Sequence, residues 1–347
     1  MKTEAAAPAR NVILDLARLI AAFGVITIHC SPTTPGALAI VNFFLNFCVP
    51  FFLLTSLFFF WAELNRTQNP TRALLNRWRR LWRPYLCWTA IYLGARLGKF
   101  FLRGQPTDEL LNPTSLVMIL GAGTGAVQLY FLPLLAFALG LAWLLAVGLG
   151  PIRRTHPWWI GTFFLVSSLL LFVPFDSPRV NVSPLRSLAF VYADWMAWVL
   201  PTILLAAGLA LILGGSWRRR AGLGWGLLFC ALALNVAIVG EVLPFHWRFG
   251  SLVLATLVLS CAFTWKPAAP PRRWSQLILG TSFGVFLSHH LFVELIEAVD
   301  HAQGGALTQP YSFASLLLVA AVVMGISVLF TLAVQRHALL RRYLLGQ

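Results

Sequence analysis

The stretch RNVILDLARLIAAFGVITIH, residues 10–29, decides the class of fold. It is mostly apolar and close to the roughly 20 residues that a helix needs to cross a bilayer. Asp15 and Arg18 interrupt the apolar run, and no small-residue cleavage site follows it. A cleaved signal peptide has an uninterrupted apolar region and such a cleavage site. We therefore interpret the stretch as a membrane span that the protein retains.

The composition of the whole chain agrees with a membrane protein. Of its 347 residues, 59% are hydrophobic and only 11% are charged. Soluble domains have about a quarter of their residues charged. Helices that face lipid explain this excess of apolar residues. The sequence predicts an all-α polytopic bundle that forms one membrane-embedded domain over residues 1–347.

Hydropathy predicts about ten spans, with both termini in the cytoplasm. The predicted spans are 12–30, 40–62, 82–102, 126–149, 157–174, 193–214, 221–240, 248–265, 275–298 and 312–335. Longer outer loops are expected at 103–125, 175–192 and 299–311. A helix is expected to restart at Arg83-Pro84, because proline is favoured in the first turn of a helix.

The distribution of basic residues supports this orientation. With the N-terminus inside, nineteen Lys and Arg residues lie in inner segments and four lie in outer segments. Cytoplasmic loops of membrane proteins carry such an excess. Topology and attraction to anionic lipid head groups therefore explain the net charge of +15, and binding to nucleic acid is not needed.

Three ionisable side chains share one side of the first span. Asp15 precedes Arg18 by three residues, which places both on one side of a helix. Arg18 and His29 are close to three turns apart, about 16 Å along the axis. Ionisable residues within spans are rare and usually functional. The functional interpretation is an anion-positioning arginine and a histidine acting as general base. The alternative is a structural ion pair with an interfacial histidine.

This first span resembles the first-helix signature of acyltransferase family 3, a family of membrane O-acyltransferases. The resemblance lies in Leu14-Asp15, Arg18, ten further residues and His29. Four later stretches resemble further family motifs in the same order. They are VPFFLLTS at 49–56, RRLWRPY at 79–85, QLYFL at 128–132 and SFGVFLSHH at 282–290. The sequence departs from the family pattern at four positions: Leu57 replaces Gly, Gln128 replaces His, Tyr130 replaces Trp and Phe286 replaces Tyr.

The resemblance implies acyl transfer across the membrane, with acetyl-CoA entering from the cytoplasm as the donor. Arg18, beside Asp15, would hold part of the donor within the bundle. His29 would activate an acceptor hydroxyl near the outer face, or carry the acyl group briefly. Inner-side arginines, whose guanidinium groups suit phosphate, would bind the donor phosphates. These are Arg77, Arg79, Arg80 and Arg83. The alternative is that these four arginines only set the orientation of the protein in the membrane.

A second polar group comes late in the chain. His290 and Glu294 are four residues apart and share a helix face, while His289 or Glu294 would line the acceptor site or orient His29. The alternative is a polar collar at the outer end of a helix. The predicted acceptor-binding residues are His289, His290, Glu294, Tyr130, Gln128 and Arg96. We predict no metal, because two possible ligands do not make a zinc site and the five cysteines contain no CxxC pair.

These observations predict an O-acyltransferase of the bacterial inner membrane. It would move an acetyl or another short acyl group from acetyl-CoA to a hydroxyl of a cell-surface polysaccharide or its undecaprenyl-linked precursor. Its partners would be that glycan and membrane lipids, without nucleic acid. Two alternatives stay open: a transporter or flippase for a lipid-linked glycan, and a non-catalytic family member that assists export.

Overall fold

The computed structural model describes residues 11–30, 35–102, 104, 106–171, 184–213, 233, 236–237, 247–264, 277–302 and 313–347. These residues are folded almost entirely into α-helices, and no strand occurs among them. Helices satisfy their backbone hydrogen bonds internally, which a lipid environment requires. The predicted all-α fold class is confirmed.

Fourteen α-helices follow one another in the described part of the chain. They are α1 (Val12–His29), α2 (Pro35–Ile40), α3 (Cys48–Arg66), α4 (Pro70–Leu102), α5 (Asp108–Leu111), α6 (Pro113–Ala122), α7 (Phe131–Leu149), α8 (Ile152–Thr155), α9 (Pro157–Leu170), α10 (Pro184–Leu213), α11 (Trp247–Thr264), α12 (Ser282–Ala302), α13 (Phe313–Arg336) and α14 (Ala338–Leu344). A π-helical turn, Val41–Leu45, lies between α2 and α3.

Six of these helices are long and apolar enough to cross a membrane. They are α1, α3, α7, α10, α12 and α13, and three shorter apolar helices are α6, α9 and α11. The predicted span at 40–62 is instead divided between α2, the π-helical turn and α3, which begins at Cys48. The predicted span at 221–240 lies largely outside the described residues. The count of ten spans and the cytoplasmic position of the termini therefore stay predictions.

The expected helix restart at Arg83-Pro84 is wrong. Helix α4 runs through Pro84 without a break, beginning at Pro70. Proline cannot donate to the carbonyl four residues earlier, which here belongs to Arg80. Gly346 passes directly over that carbonyl, with φ +67°, and a Cβ at this position would collide with the Arg80 backbone. The C-terminal end of the chain thus packs on α4 at Arg80, whose carbonyl receives no hydrogen bond from the backbone of Pro84.

The expectation that 103–125 is loop throughout is also wrong, because this segment contains α5 and α6. Local signals explain α6. The Asn112 side chain accepts from the Ser115 amide at 2.7 Å, Pro113 follows at the first position, and Gly123 ends the helix with φ 75°. These are the preferred residues for a helix start and a helix end.

Arg153 joins the ends of two spans at the predicted inner surface. Its guanidinium donates to the Gly150 carbonyl at 2.9 Å and to the Leu64 carbonyl at 3.1 Å. These carbonyls belong to the last turns of helices, where no amide of the same helix can reach them. Burial, and secondarily the charge of Arg154, lowers the pKa of Arg153. This inner-segment arginine therefore has a structural role that needs no ligand.

Helix α1 packs between α12 and α13 through a small apolar cluster. Its buried members are Ala22, Ile26, Cys30, Val285, Val293, Leu316, Ala320 and Val323. Small residues let helices approach closely within a membrane. This contact places the C-terminal end of α1 against the middle of α12. A larger apolar core contains buried residues of α3, α4, α7, α10 and α11, and α1 contributes to it through Leu14, Ala21 and Val25.

Gly284 sets the distance between α12 and α13. A Cβ at Gly284 would lie 2.6 Å from Thr331 Oγ1 and 2.9 Å from Leu345 Cδ2. Both distances are too short for a real contact, so a larger residue would push α12 away from α13 and from the end of the chain. The glycine of the stretch SFGVFLSHH is therefore required by close packing.

We expect Gly284→Ala to lower the stability of the detergent-solubilised protein by about 1–3 kcal/mol, because it overpacks a close contact. The matched control is Gly325→Ala on α13, since nothing lies within 4 Å of a Cβ built there. Apparent melting temperatures of both variants and of the wild type give the comparison. Equal melting temperatures for Gly284→Ala and Gly325→Ala would contradict the packing argument.

Candidate functional site

The polar stripe predicted on α1 begins with a contact that the structure confirms. Arg18 Nη1 lies 3.4 Å from Asp15 Oδ1. The guanidinium of Arg18 also lies over the ring of Phe59 on α3, 5.6 Å from its centroid, in a cation–π arrangement. The Arg18 side chain is thus held from two sides, and 31% of it stays exposed.

Arg18 faces a cavity of about 650 Å³, called here the polar cavity. Its walls come from α1, α3, the start of α7, α12 with the residues before it, the end of α13, and the C-terminal segment. Its charged and polar lining residues are Asp15, Arg18, Ser56, Ser282, Gln335, Arg341 and Gln347. Two guanidinium groups and one carboxylate side chain therefore meet in one cavity. The start of α1 and the end of the chain lie at this same side of the bundle.

Three histidines meet where α1 ends against α12, and they are called here the histidine cluster. The rings of His29 and His289 stack, with centroids 5.3 Å apart and planes at 29°. His290 meets His29 edge-on at 5.6 Å. His289 is fully buried, whereas His29 is partly exposed. Across the described residues, no three His, Cys, Asp or Glu side chains are arranged to hold a metal ion.

Hydrogen bonds fix the protons of two of these rings. His289 Nδ1 lies 3.1 Å from the Val285 carbonyl, which can only accept, so Nδ1 carries the proton. His290 Nε2 lies 3.2 Å from the Glu294 carboxylate and donates to it. Within the described part of the chain, His289 Nε2 and His290 Nδ1 are buried and have no hydrogen-bond partner. When neutral, each ring therefore keeps one unused lone pair inside the cluster.

Tyr92 and Gln128 hold the turn of α12 that carries two of the histidines. The Tyr92 hydroxyl donates to the Leu287 carbonyl at 2.9 Å and accepts from the Leu291 amide at 3.2 Å. Gln128 Nε2 donates to the same carbonyl at 3.4 Å. These bonds lie on both sides of the histidine pair in the sequence, so they position the rings against α1. Tyr130, two residues after Gln128, packs against the core.

The other predicted acceptor-binding residues lie around the cluster. Glu294 pairs with His290, which confirms that the two share a helix face. Arg96 donates to the Thr124 carbonyl at 3.4 Å. The structure shows these contacts of Glu294 and Arg96, while the role of both residues in binding the acceptor stays a prediction.

The four arginines predicted to meet donor phosphates are not among the lining residues of the polar cavity. Arg77 is paired with Glu63, with its Nη2 2.7 Å and its Nε 3.0 Å from Oε2. Arg79 lines a separate cavity on α4. Arg80 and Arg83 are exposed on the same helix. Their role in donor binding stays a prediction.

Two residues of this site were not identified from the sequence. Arg341 reaches the polar cavity from α14, at the opposite end of the chain from Arg18. Its only sequence signal is its place in a basic segment near the C-terminus. Tyr92 belongs to no motif, and its only signal is a polar group within an apolar helix. Neither signal indicates which part of the chain Arg341 or Tyr92 contacts, because each contact joins segments far apart in the sequence.

Comparison with known protein families identifies the family of this protein. The family model of the acyltransferase domain matches residues 11–334, which is nearly the whole chain. The protein belongs to acyltransferase family 3. It is therefore a membrane acyltransferase, and its apolar helices make it a multi-pass membrane protein. The same comparisons find no match among curated proteins or solved structures.

Residues of the family's motifs meet in the two parts of this site. Phe52 and Ser56 from the second motif, and Phe286 from the last, line the polar cavity with Arg18. His289, at the end of the last motif, stacks on the histidine that ends the first. Segments separated in this acyltransferase's sequence therefore meet in the polar cavity and in the histidine cluster.

We expect Tyr92→Phe to reduce the acyl-transfer rate by roughly tenfold to a hundredfold, because small displacements of reacting groups have effects of this size. The control is Tyr85→Phe on the same helix, which removes another buried hydroxyl, one that donates to the Ile119 carbonyl at 2.7 Å. Both variants should lose about 1 kcal/mol of stability, because each removes a buried hydroxyl and its hydrogen bonds. Equal rates in the two variants would show that Tyr92 does not position the histidines.

Proposed function

We propose that this acyltransferase moves an acetyl or another short acyl group from cytoplasmic acetyl-CoA to a hydroxyl of a cell-surface polysaccharide or its lipid-linked precursor. The observation that carries the proposal is the position of two polar sites on one helix. Arg18 faces the polar cavity near the start of α1, and His29 stacks on His289 at its end. A donor site on one side and an acceptor site on the other fit transfer across a membrane.

The polar cavity supports the donor half of the proposal. Coenzyme A carries phosphate groups, and guanidinium groups bind phosphate with paired, directed hydrogen bonds. Arg18 and Arg341 both line the cavity, and serine and glutamine side chains add hydrogen-bonding groups. The basic residues of the inner segments predict that this side faces the cytoplasm, where acetyl-CoA is made. Arg77, Arg79, Arg80 and Arg83 would then attract the donor to the surface around the cavity entrance.

The histidine cluster supports the acceptor half. A histidine is suited to general base catalysis because its ordinary pKa lies near neutrality. In the proposed step His29 removes the proton of an acceptor hydroxyl, and the hydroxyl oxygen attacks the thioester carbonyl. The carbon–sulfur bond breaks, and the departing thiolate receives that proton from His29. His289 would support the protonated state of His29 through its unused lone pair, with Glu294 holding His290 in the same cluster.

The residues around the cluster suit a sugar acceptor. Glu294 and Gln128 offer groups that can form hydrogen bonds with hydroxyls, Arg96 lies on α4, and Tyr130 lies directly before α7. Only His29 of the stacked pair is open to a ligand, which is why it is assigned the direct role. The proposed location is the bacterial inner membrane, since acetyl-CoA and the glycan precursor meet across that membrane.

His29→Ala should abolish acylation of the surface glycan while the protein is still made and inserted. The measurement is mass spectrometry of surface glycans from cells with the wild-type gene, a deletion, His29→Ala or His156→Ala. His156 is the matched control, because it is an exposed histidine outside the cluster. The wild type and His156→Ala should carry the mass of added acetyl groups, which the other two lack. Normal acetylation with His29→Ala would exclude the proposed base.

Arg341→Ala should weaken binding of coenzyme A about tenfold, which corresponds to the loss of one hydrogen bond to a charged group. The control is Arg342→Ala, because Arg342 is the neighbouring arginine but lies over Tyr343 and is not a lining residue of the cavity. Isothermal titration of the detergent-solubilised protein with coenzyme A measures both affinities. An unchanged affinity for Arg341→Ala would place the phosphates elsewhere, with the exposed arginines of α4 as the next candidates.

A further inference from the structure

Three phenylalanine rings line the polar cavity, contact one another and, through one of them, reach the histidine cluster; they are called here the phenylalanine layer. They are Phe52 of α3, Phe131 at the start of α7, and Phe286 of α12. All three line the cavity. The ring centroids are 6.4 Å apart for Phe52 and Phe131, 5.7 Å for Phe52 and Phe286, and 5.2 Å for Phe131 and Phe286. Each ring therefore contacts the other two.

One ring of the layer also contacts the histidine cluster. The Phe286 ring lies 6.1 Å from the ring of His289, and His289 lies 5.3 Å from His29. Phe131 and Phe286 are almost fully buried, at 4% exposure each, while Phe52 is partly exposed. A donor bound in the cavity whose thioester end reaches His29 would pass beside these rings.

The chemistry of the layer selects what can pass. The rings are apolar, so they accept a short hydrocarbon chain more readily than a charged group, which would lose its hydration there. The three rings belong to three different helices, and the opening between them depends on ring volume and on how far the rings can turn. Each methylene added to the acyl chain needs space that a closely packed interior lacks.

We propose that the phenylalanine layer sets the acyl specificity of this transferase, by restricting the transferred group to uncharged chains of about two or three carbons. This inference rests on the proposed function and adds the class of acyl group to it. The competing explanation is that the three rings only fill the core. Core packing alone predicts a loss of stability on truncation, whereas a specificity layer also predicts a change in which donors are used.

The experiment compares acetyl-CoA with butyryl-CoA as donors. Membrane vesicles from cells of the native host contain the enzyme together with its own acceptor, and vesicles from a deletion strain supply the background. Release of the free thiol of coenzyme A gives kcat/KM for each donor. The test variants are Phe52→Ala, at the partly exposed position, and the milder Phe286→Leu, which is less disruptive to folding.

The control variant is Phe60→Ala. Phe60 lies on α3 like Phe52, about two turns further along, and is fully buried, but it is not a lining residue of the cavity. Loss of this ring should lower stability at least as much as loss of Phe52. It should leave the ratio of acetyl to butyryl transfer unchanged, so this variant separates packing from selection.

We expect the wild type to prefer acetyl over butyryl by roughly tenfold to a hundredfold, the range that one or two methylenes produce in a closed pocket. Phe52→Ala and Phe286→Leu should reduce this preference by about tenfold, through faster butyryl transfer. An unchanged preference in both folded variants would overturn the inference and leave the proposed function intact. Absence of thiol release from wild-type vesicles with either donor would instead overturn the proposed function, and the inference with it.

Discussion

Polar groups inside a membrane bundle must find partners within the protein, because lipid offers none, and this constraint organises the site. The contact between α1 and α12 depends on it. Tyr92 and Gln128 bind one carbonyl of α12, His289 binds another, and His290 binds Glu294. These bonds leave little freedom to the turn that meets His29. The small residues of α1 let it approach α12 until the ring of His29 stacks on that of His289, while Gly284 lets α13 approach α12 from another direction.

Much of the fold and part of the site could be predicted from the sequence, because both follow from periodicity within one helix. Apolar length predicted most of the helices that cross the bundle. The spacings of three and four residues predicted that Asp15 and Arg18, and likewise His290 and Glu294, share a helix face, and the contact within each pair agrees with this. The motifs predicted the family, which the match over residues 11–334 confirms. Each of these predictions needs only local geometry and residue chemistry.

The rest of the site depends on contacts between distant segments, and no single-helix pattern contains these. Arg341 reaches the polar cavity because α14 folds back under α4, where the Trp88 indole donates to the Leu344 carbonyl at 3.0 Å. The expected restart at Pro84 was wrong for a related reason. A proline predicts a helix start from local preference, but tertiary packing of the C-terminal segment against the Arg80 carbonyl allows the helix to continue. From the sequence alone, the four arginines of α4, none of which lines the cavity, could not be distinguished from arginines that do.

The phenylalanine layer also bears on the permeability of the membrane. A protein with polar sites on both sides of a bilayer risks becoming a leak for protons and other ions, which would discharge the gradients that a cell maintains. Apolar constrictions resist wetting and so block ions even when their rings do not seal the path completely. In the proposed arrangement the three rings would form such a barrier, with Arg18 in the cavity on one side and the imidazoles on the other. The side chains proposed to select the acyl group would thus also keep the membrane tight.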